Sequence, residues 1–351
     1  MRKKFQFLSL VLIIIVVIIL IGAFFLTGGR TKTTTDTNKA LSFRELVIYS
    51  GRKDALILPI IDSFEKKTGT KVTLKSGKTE ELANLLLQEK ENTQADIYIG
   101  TDASLLEKLS KNGLLTQITT SELSNIPAAY RAEDNTWTGV SGRARVLMVN
   151  TNMLPANQWP SSIYDVINQK WNGKVAMANL TNESVVTHIS ALRALHGDEF
   201  ARNFLRDLKK NNVTPLSGGH TDVRQAVGRG EFSVGFVNHY YAHLQMQETP
   251  HIAIIYPDQG AGHDGAFVNV SGVGVIRFGK NQSVAQEFVA YLLSEEAQQQ
   301  FAELNFEFPL RAGIKSTNTK NLGEFKEMDV DLHSISKMLD SSIEIIKQEG
   351  F

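Results

Sequence analysis

The sequence predicts an α/β body of two lobes with discontinuous boundaries, closing through hinge strands on a central cleft. Three observations predict it. Setting aside the first 40 of the 351 residues leaves about 310, more than one hydrophobic core usually serves. Short β-rich runs alternate with helical patterns, and their strands are too apolar to be half exposed. The same alternation starts again in the middle of the chain.

The first cycle opens with LVIYS at 46–50, followed by a helix over 54–67 that Gly69 stops. A strand at 71–76 (KVTLKS), a helix at 80–89, a strand at 95–100 (ADIYIG) and a helix at 103–111 complete a lobe with a largely parallel sheet. The second cycle has strands at 145–150, 174–179 and 234–238, with helices at 184–196 and 198–210 and another opening at the loop Ser217-Gly218-Gly219-His220-Thr221. A strand in SGVGVIRF, helices at 283–293 and 295–304 and a helical region at 329–348 close the chain. Lobe one is expected at 43–145 plus 270–320, and lobe two at 146–269 plus 321–351. In such sheets ligands sit beyond the carboxyl ends of the strands, among helix N-termini with free N–H groups. That rule gathers Ser50, Gly51, Arg52, Lys53, Thr101 and Asp102 at one mouth.

Ahead of the body, Arg2, Lys3 and Lys4 precede an apolar run from Phe7 to Leu26, broken only by Ser9 and Gly22. About 20 such residues span about 30 Å of hydrocarbon. The length and the lack of a small-x-small site favour a transmembrane anchor, or uncleaved signal, at 1–26 over a cleaved signal peptide. The basic flank would leave the body on the extracytoplasmic face of the membrane. Residues 27–42, rich in Thr and poor in packing residues, are expected to be a flexible tether.

Composition removes whole classes of function. The 37 basic residues balance 37 acidic ones, which gives no support for a nucleic-acid partner. Cysteine is absent, so disulfides, thiolate metal sites and a lipid-modified cysteine are excluded. Any metal must take oxygen or nitrogen ligands. No nucleophile–base signature and no glycine-rich nucleotide motif is found, so no enzyme is expected, and a monomer is.

The most informative stretch is Asn238-His239-Tyr240-Tyr241-Ala242-His243, just past a predicted strand. A phenol with a reference pKa near 10 is a poor ligand until a hard trivalent cation displaces its proton. Adjacent tyrosines also commonly cap an apolar core, and His239 and His243 could add nitrogen ligands but are expected first as surface or packing residues. The local pattern leaves both readings open. Asp102 is either a carboxylate ligand or a helix N-cap, and Glu183 either an oxygen ligand or a first-turn acid. Of Arg143 and Arg145 in SGRARV, one suffices to face the cleft and hold an oxyanion, alternation leaving the other free to pack.

The stretches LVIYSGRKD, ADIYIGTDASLL, WTGVSGRARVLMVNT, KWNGKVAMANLT, RGEFSVGFVNHYYAH, GAFVNVSGVGVI and FEFPL, in this order over about 45–314, resemble the periplasmic ferric-iron-binding proteins that feed ABC importers. These are two-lobed receptors of the periplasmic-binding-protein class, which also holds thiamine and aminoethylphosphonate binders. The resemblance implies that Tyr240 and Tyr241 hold Fe³⁺ as transported ligand, with carbonate or phosphate as a synergistic anion. Thr181, Asn182, His220 and Asn238 match the anion-binding and helix-start positions, and Arg52, Lys53 and Arg143 join them as anion partners. Asp102 is the remaining carboxylate candidate for the metal. It further implies a permease and, through it, an ATPase subunit as partners. Two positions depart from the family: Lys53 stands where a histidine ligand is expected, and Thr101 where a glutamate is. A protonated lysine cannot ligate a metal. The departures keep open a receptor for an organic phosphate, phosphonate or thiamine-like solute.

Overall fold

The structure, a computed structural model, describes residues 44–350. Ten strands form one continuous mixed sheet. Strands β1 (Glu45–Ser50), β2 (Lys71–Ser76) and β3 (Ile97–Gly100) are parallel, while β10 (Val268–Ile276) runs antiparallel to β3 and to the short β4 (Leu115–Thr116). On the other side β6 (Val175–Ala178), β7 (Thr214–Leu216) and β8 (Val234–Asn238) are parallel, with β9 (Ile252–Ile255) at the edge of β5 (Trp137–Asn150). The order β2-β1-β3-β10-β5-β8-β6-β7 makes the two parallel groups flank an antiparallel centre. The expectation of a largely parallel sheet therefore holds only within each group, because β10 and β5 return through the middle.

Fourteen-residue β5 is the joint. Its first part pairs with β10 up to Ala144, and from Arg145 onward it pairs with β8 and β9. Every residue of it is buried, so Thr138, Ser141 and the two arginines lie inside the protein and blur the apolar pattern. From sequence only 145–150 is expected as strand.

Helices α1 (Asp54–Thr68), α2 (Thr79–Glu89) and α3 (Ala103–Lys111) follow β1, β2 and β3; α4 (Glu183–His196), α5 (Asp198–Lys210), α6 (His220–Gly228) and α7 (His239–Glu248) belong to the second group. Gly69 stops α1 in the left-handed conformation, φ 69°, which glycine adopts without a Cβ penalty. Helices α8 (Gln282–Leu292) and α9 (Glu295–Asn305) return to the first group, α9 packing on α1. At the chain end α10 (Leu332–Ser336) packs on both α3 and α4, and α11 (Leu339–Gln348) on α4 and α5. The C-terminal segment thus straps the two sheet groups together.

Among the described residues no helix is long and apolar enough to cross a membrane. The longest, α1, has 15 residues and extends about 22 Å against about 30 Å of hydrocarbon. The described residues thus supply no transmembrane helix, contrary to that expectation for the chain; the anchor expected at 1–26 and the tether at 27–42 lie outside the described residues.

Candidate functional site

Where the two sheet groups face each other, strand ends and helix starts enclose a cavity of about 210 Å³. The first group contributes the turn between β1 and α1, with Gly51, Arg52 and Lys53, and Thr101 after β3. Gly51 is required there by packing: a Cβ would lie 1.9 Å from Thr79 Oγ1. The second group contributes the start of α4 (Asn182, Glu183), the start of α6 (Gly219, His220) and the start of α7 (Asn238, Tyr240, Tyr241). Arg143 enters from β5 and Glu307 from the segment after α9. Four helix N-termini therefore surround the space, each adding partial positive charge and free N–H groups.

Tyr240 and Tyr241 sit in the first turn of α7 with ring centroids 4.3 Å apart and planes tilted by 31°. Because the helix begins directly after β8, both side chains enter the same cavity. Burial raises the Tyr240 phenol well above its ordinary value, Tyr241 beside it raises it further, and the Arg143 cation lowers it. The phenol stays protonated until a stronger local charge arrives.

The cations divide into engaged and free. Arg52 Nη2 donates to Glu307 Oε2 at 2.5 Å and Nη1 to Ser141 Oγ at 3.2 Å, with both charged side chains 1% exposed. That guanidinium is committed to a buried pair. Arg143 makes no ion pair among the described residues and has both Nε and Nη2 buried without a hydrogen-bond partner, where Arg52 leaves only Nε so. Lys53 Nζ donates to Thr221 Oγ1 at 2.6 Å across the cavity and lies 5.1 Å from the Tyr241 ring centroid. With Arg52 neutralised, Arg143 and Lys53 leave the cavity with spare positive charge.

Arg145 shares a strand face with Arg143, since residues two apart point the same way; the expected alternation between them is corrected accordingly. It lies one step deeper, bonded to His220 Nε2 at 2.9 Å and Asn238 Oδ1 at 3.3 Å, and burial lowers its pKa to about 10. A guanidinium only donates, so His220 Nε2 accepts and its proton resides on Nδ1. Burial, followed by the charge of Arg145, keeps His220 neutral, its pKa well below the usual histidine range. Glu183 has its pKa raised to about 7 by burial and then by Asp102, against lowering by Thr101 and Arg143.

Eight of the expected site residues line this cavity: Arg52, Lys53, Arg143, Asn182, His220, Asn238, Tyr240 and Tyr241. Asp102 and Thr181 line the neighbouring cavity of about 280 Å³, which shares Glu183 as a wall. Asp102 caps α3: Oδ1 accepts from the Ser104 amide at 2.9 Å and from its hydroxyl, and Oδ2 accepts from Thr187 and Asn269, each at 2.6 Å. Both oxygens are occupied. His239 and His243 pack, stacking on Phe308 and Phe306. Glu307 carried no local signal in the sequence, as its partner Arg52 is 255 positions away.

Among the described residues no group of three or more His, Cys, Asp or Glu is arranged to hold a metal ion. A metal in the cleft would find there the two phenols and the Glu183 carboxyl, whose Oε2 is buried without a hydrogen-bond partner. The free N–H donors of Arg143 and the helix starts suit an oxyanion at that place.

Comparison with known proteins points the same way. Residues 92–329 match the model of a family described as bacterial extracellular solute-binding protein. Iron uptake protein A2 of Synechocystis sp. is 30% identical over 281 residues, 77% of this chain and 79% of that protein. The ferric binding protein from Campylobacter jejuni superposes with a TM-score of 0.80 at 29% identity, covering 87% of this chain and 99% of that one. A Trichodesmium protein solved with iron and citrate ligands gives a TM-score of 0.76 at 31% identity, over 87% and 99%.

Proposed function

The chain belongs to the family of bacterial extracellular solute-binding proteins, and on that premise we propose that its cleft captures ferric iron for delivery to an ABC importer. It works on the extracytoplasmic side as a receptor and catalyses no reaction. The observation that carries the iron reading is the convergence of Tyr240 and Tyr241 in one cavity beside cations without carboxylate partners.

Fe³⁺ displaces the phenol protons and is held by Tyr240 and Tyr241; two phenolates leave one positive charge on the metal. A synergistic anion, carbonate or phosphate, neutralises it and accepts from Arg143, Lys53 and the starts of α4 and α6. Asn182, His220 and Asn238 shape that pocket, while Arg52 braces it through Glu307. This reading assigns Asp102 and Thr181 no contact with the metal. Lobe one comprises 43–145 plus 270–320 and lobe two 146–269 plus 321–351, so Lys53–Thr221 and Asp102–Thr187 are bonds between lobes. They favour closure over a filled cleft.

The test is optical. Adding Fe³⁺ with carbonate to the full-length chain produces a visible phenolate-to-iron charge-transfer band, absent when Tyr240 and Tyr241 are both replaced by Phe. Tight Fe³⁺ binding by that double variant sinks the tyrosine assignment. Binding of a phosphonate by metal-free protein that is indifferent to Fe³⁺ overturns the iron reading altogether.

A further inference from the structure

Outside the cleft, a cavity of about 480 Å³ opens among residues 164–167, α5 and the loop 258–264. None of its lining residues touches the iron cavity. One wall is aromatic: Tyr164 meets Phe200 and Phe204 edge to face, each with centroids 5.7 Å apart. Phe200 is 37% exposed, an apolar cost that a ligand stem lying on it would remove. The polar residues facing it include three acids, Asp207, Asp258 and Asp264, with Asn203, His196 and His263.

The two acids beside the aromatic wall differ in what they have left to offer. Asp264 Oδ2 accepts from the Tyr164 hydroxyl at 2.6 Å and lies 2.9 Å from His196 Nε2. Asp258 is 1% exposed; its Oδ2 accepts from the Ile163 amide at 3.3 Å, and its Oδ1 is buried with no hydrogen-bond donor. A buried carboxylate oxygen without a donor is a costly thing to leave in place. His263 Nδ1 stands 3.8 Å away on a half-exposed side chain, and the Ser162 hydroxyl also faces this carboxyl. Lys326 spends its ammonium on the His263 carbonyl.

We propose that this groove is a binding site for a small aliphatic amine, whose ammonium donates to Asp258 Oδ1 while its methylene stem lies along Tyr164, Phe200 and Phe204. His263 swings outward to admit it. An ammonium supplies the N–H that Oδ1 lacks and gains from the aromatic faces as well. An anion finds three acids facing it, and an uncharged alcohol forgoes the charge-assisted bond.

The experiment is a calorimetric titration of the full-length chain with n-butylamine, with n-butanol as the uncharged control. Saturable binding of the amine and none of the alcohol is expected. Asp258→Asn should weaken it about tenfold or more, Phe200→Ala severalfold, and His263→Ala should strengthen it, with the ferric charge-transfer band unchanged in all three. Phe200 and His263 are exposed enough that their variants report even if Asp258→Asn does not fold. Absence of saturation, equal binding of the alcohol, insensitivity to Phe200→Ala and His263→Ala, or displacement of the amine by Fe³⁺ overturns the proposal. Apart from the ferric band, none of these outcomes depends on whether iron is the cargo of the cleft.

Discussion

The two walls of the cleft are built alike, a buried strand leading into a helix start, yet they carry opposite chemistry. In the second group β8 passes directly into α7, so Tyr240 and Tyr241 fall in the first helical turn and face the cavity together. In the first group three residues intervene between β1 and α1, and two of them are Arg52 and Lys53. Lys53 is the N-cap of α1 and makes no side-chain cap bond. A cation at a helix N-terminus opposes the helix dipole, typically by about 0.3–1 kcal/mol. Such a placement is tolerated where negative charge is expected to arrive. On the proposed reading the metal donors lie on the second wall alone, while the anion's donors come from both and the first wall adds cationic charge.

The largest effect should come from the buried pair behind the first wall. Arg52→Ala leaves Glu307 charged, buried and alone, and should lower unfolding stability by about 3–5 kcal/mol, read by urea denaturation. Arg52→Met with Glu307→Leu should recover most of that loss. Loss of the ferric band in this refolded double variant would break the division, since Arg52 would then be part of the site chemistry rather than its brace.

On the second wall, Tyr240→Phe removes one of the two proposed metal donors. Losing an outer-shell partner of a metal ligand typically costs about 10–100-fold in affinity, so losing the ligand itself should cost more than about a hundredfold, measured by competition with a chelator. The pH dependence sharpens this further. Both phenols must release a proton on binding, and burial holds Tyr240 well above its ordinary value, so iron affinity should fall as pH falls. Near neutrality the drop should approach about a hundredfold per pH unit, two protons being displaced. In Tyr240→Phe it should approach about tenfold per unit. An unchanged slope would remove Tyr240 from the ligand set.

Much of the frame behind this comparison is legible in the sequence, and the reasons differ by element. β1 and β2 match their expected spans to within a residue because their ends are marked by turns and their partners are close in sequence. β5 is legible only in its second part. Its first part carries Thr138, Gly139, Ser141 and Gly142, residues that do not look like a strand until β10 and the segment around Phe308 cover them. The short edges β4, β7 and β9 leave no periodicity to find. Of the site, the tyrosine pair is visible as a local motif. Glu307 is not, because nothing near Arg52 in sequence announces its partner, and Asp102 looks the same as ligand or cap until Ser104, Thr187 and Asn269 are seen to fill its oxygens.

Lys53→Met gives the smallest and most discriminating effect. The substitution keeps an unbranched apolar stem while removing the ammonium and its contact with the Tyr241 ring. The bond to Thr221 across the cleft is lost with it. If the first wall serves the anion and closure rather than the metal, the energy of the charge-transfer band should stay where it is, because both phenolates remain on the iron. Affinity should drop about tenfold, the low end for a group acting beside a metal ligand, and should depend less steeply on carbonate concentration than in the parent protein. A shifted band at unchanged carbonate dependence would instead make Lys53 a determinant of the iron coordination itself, and the two walls would no longer be separable.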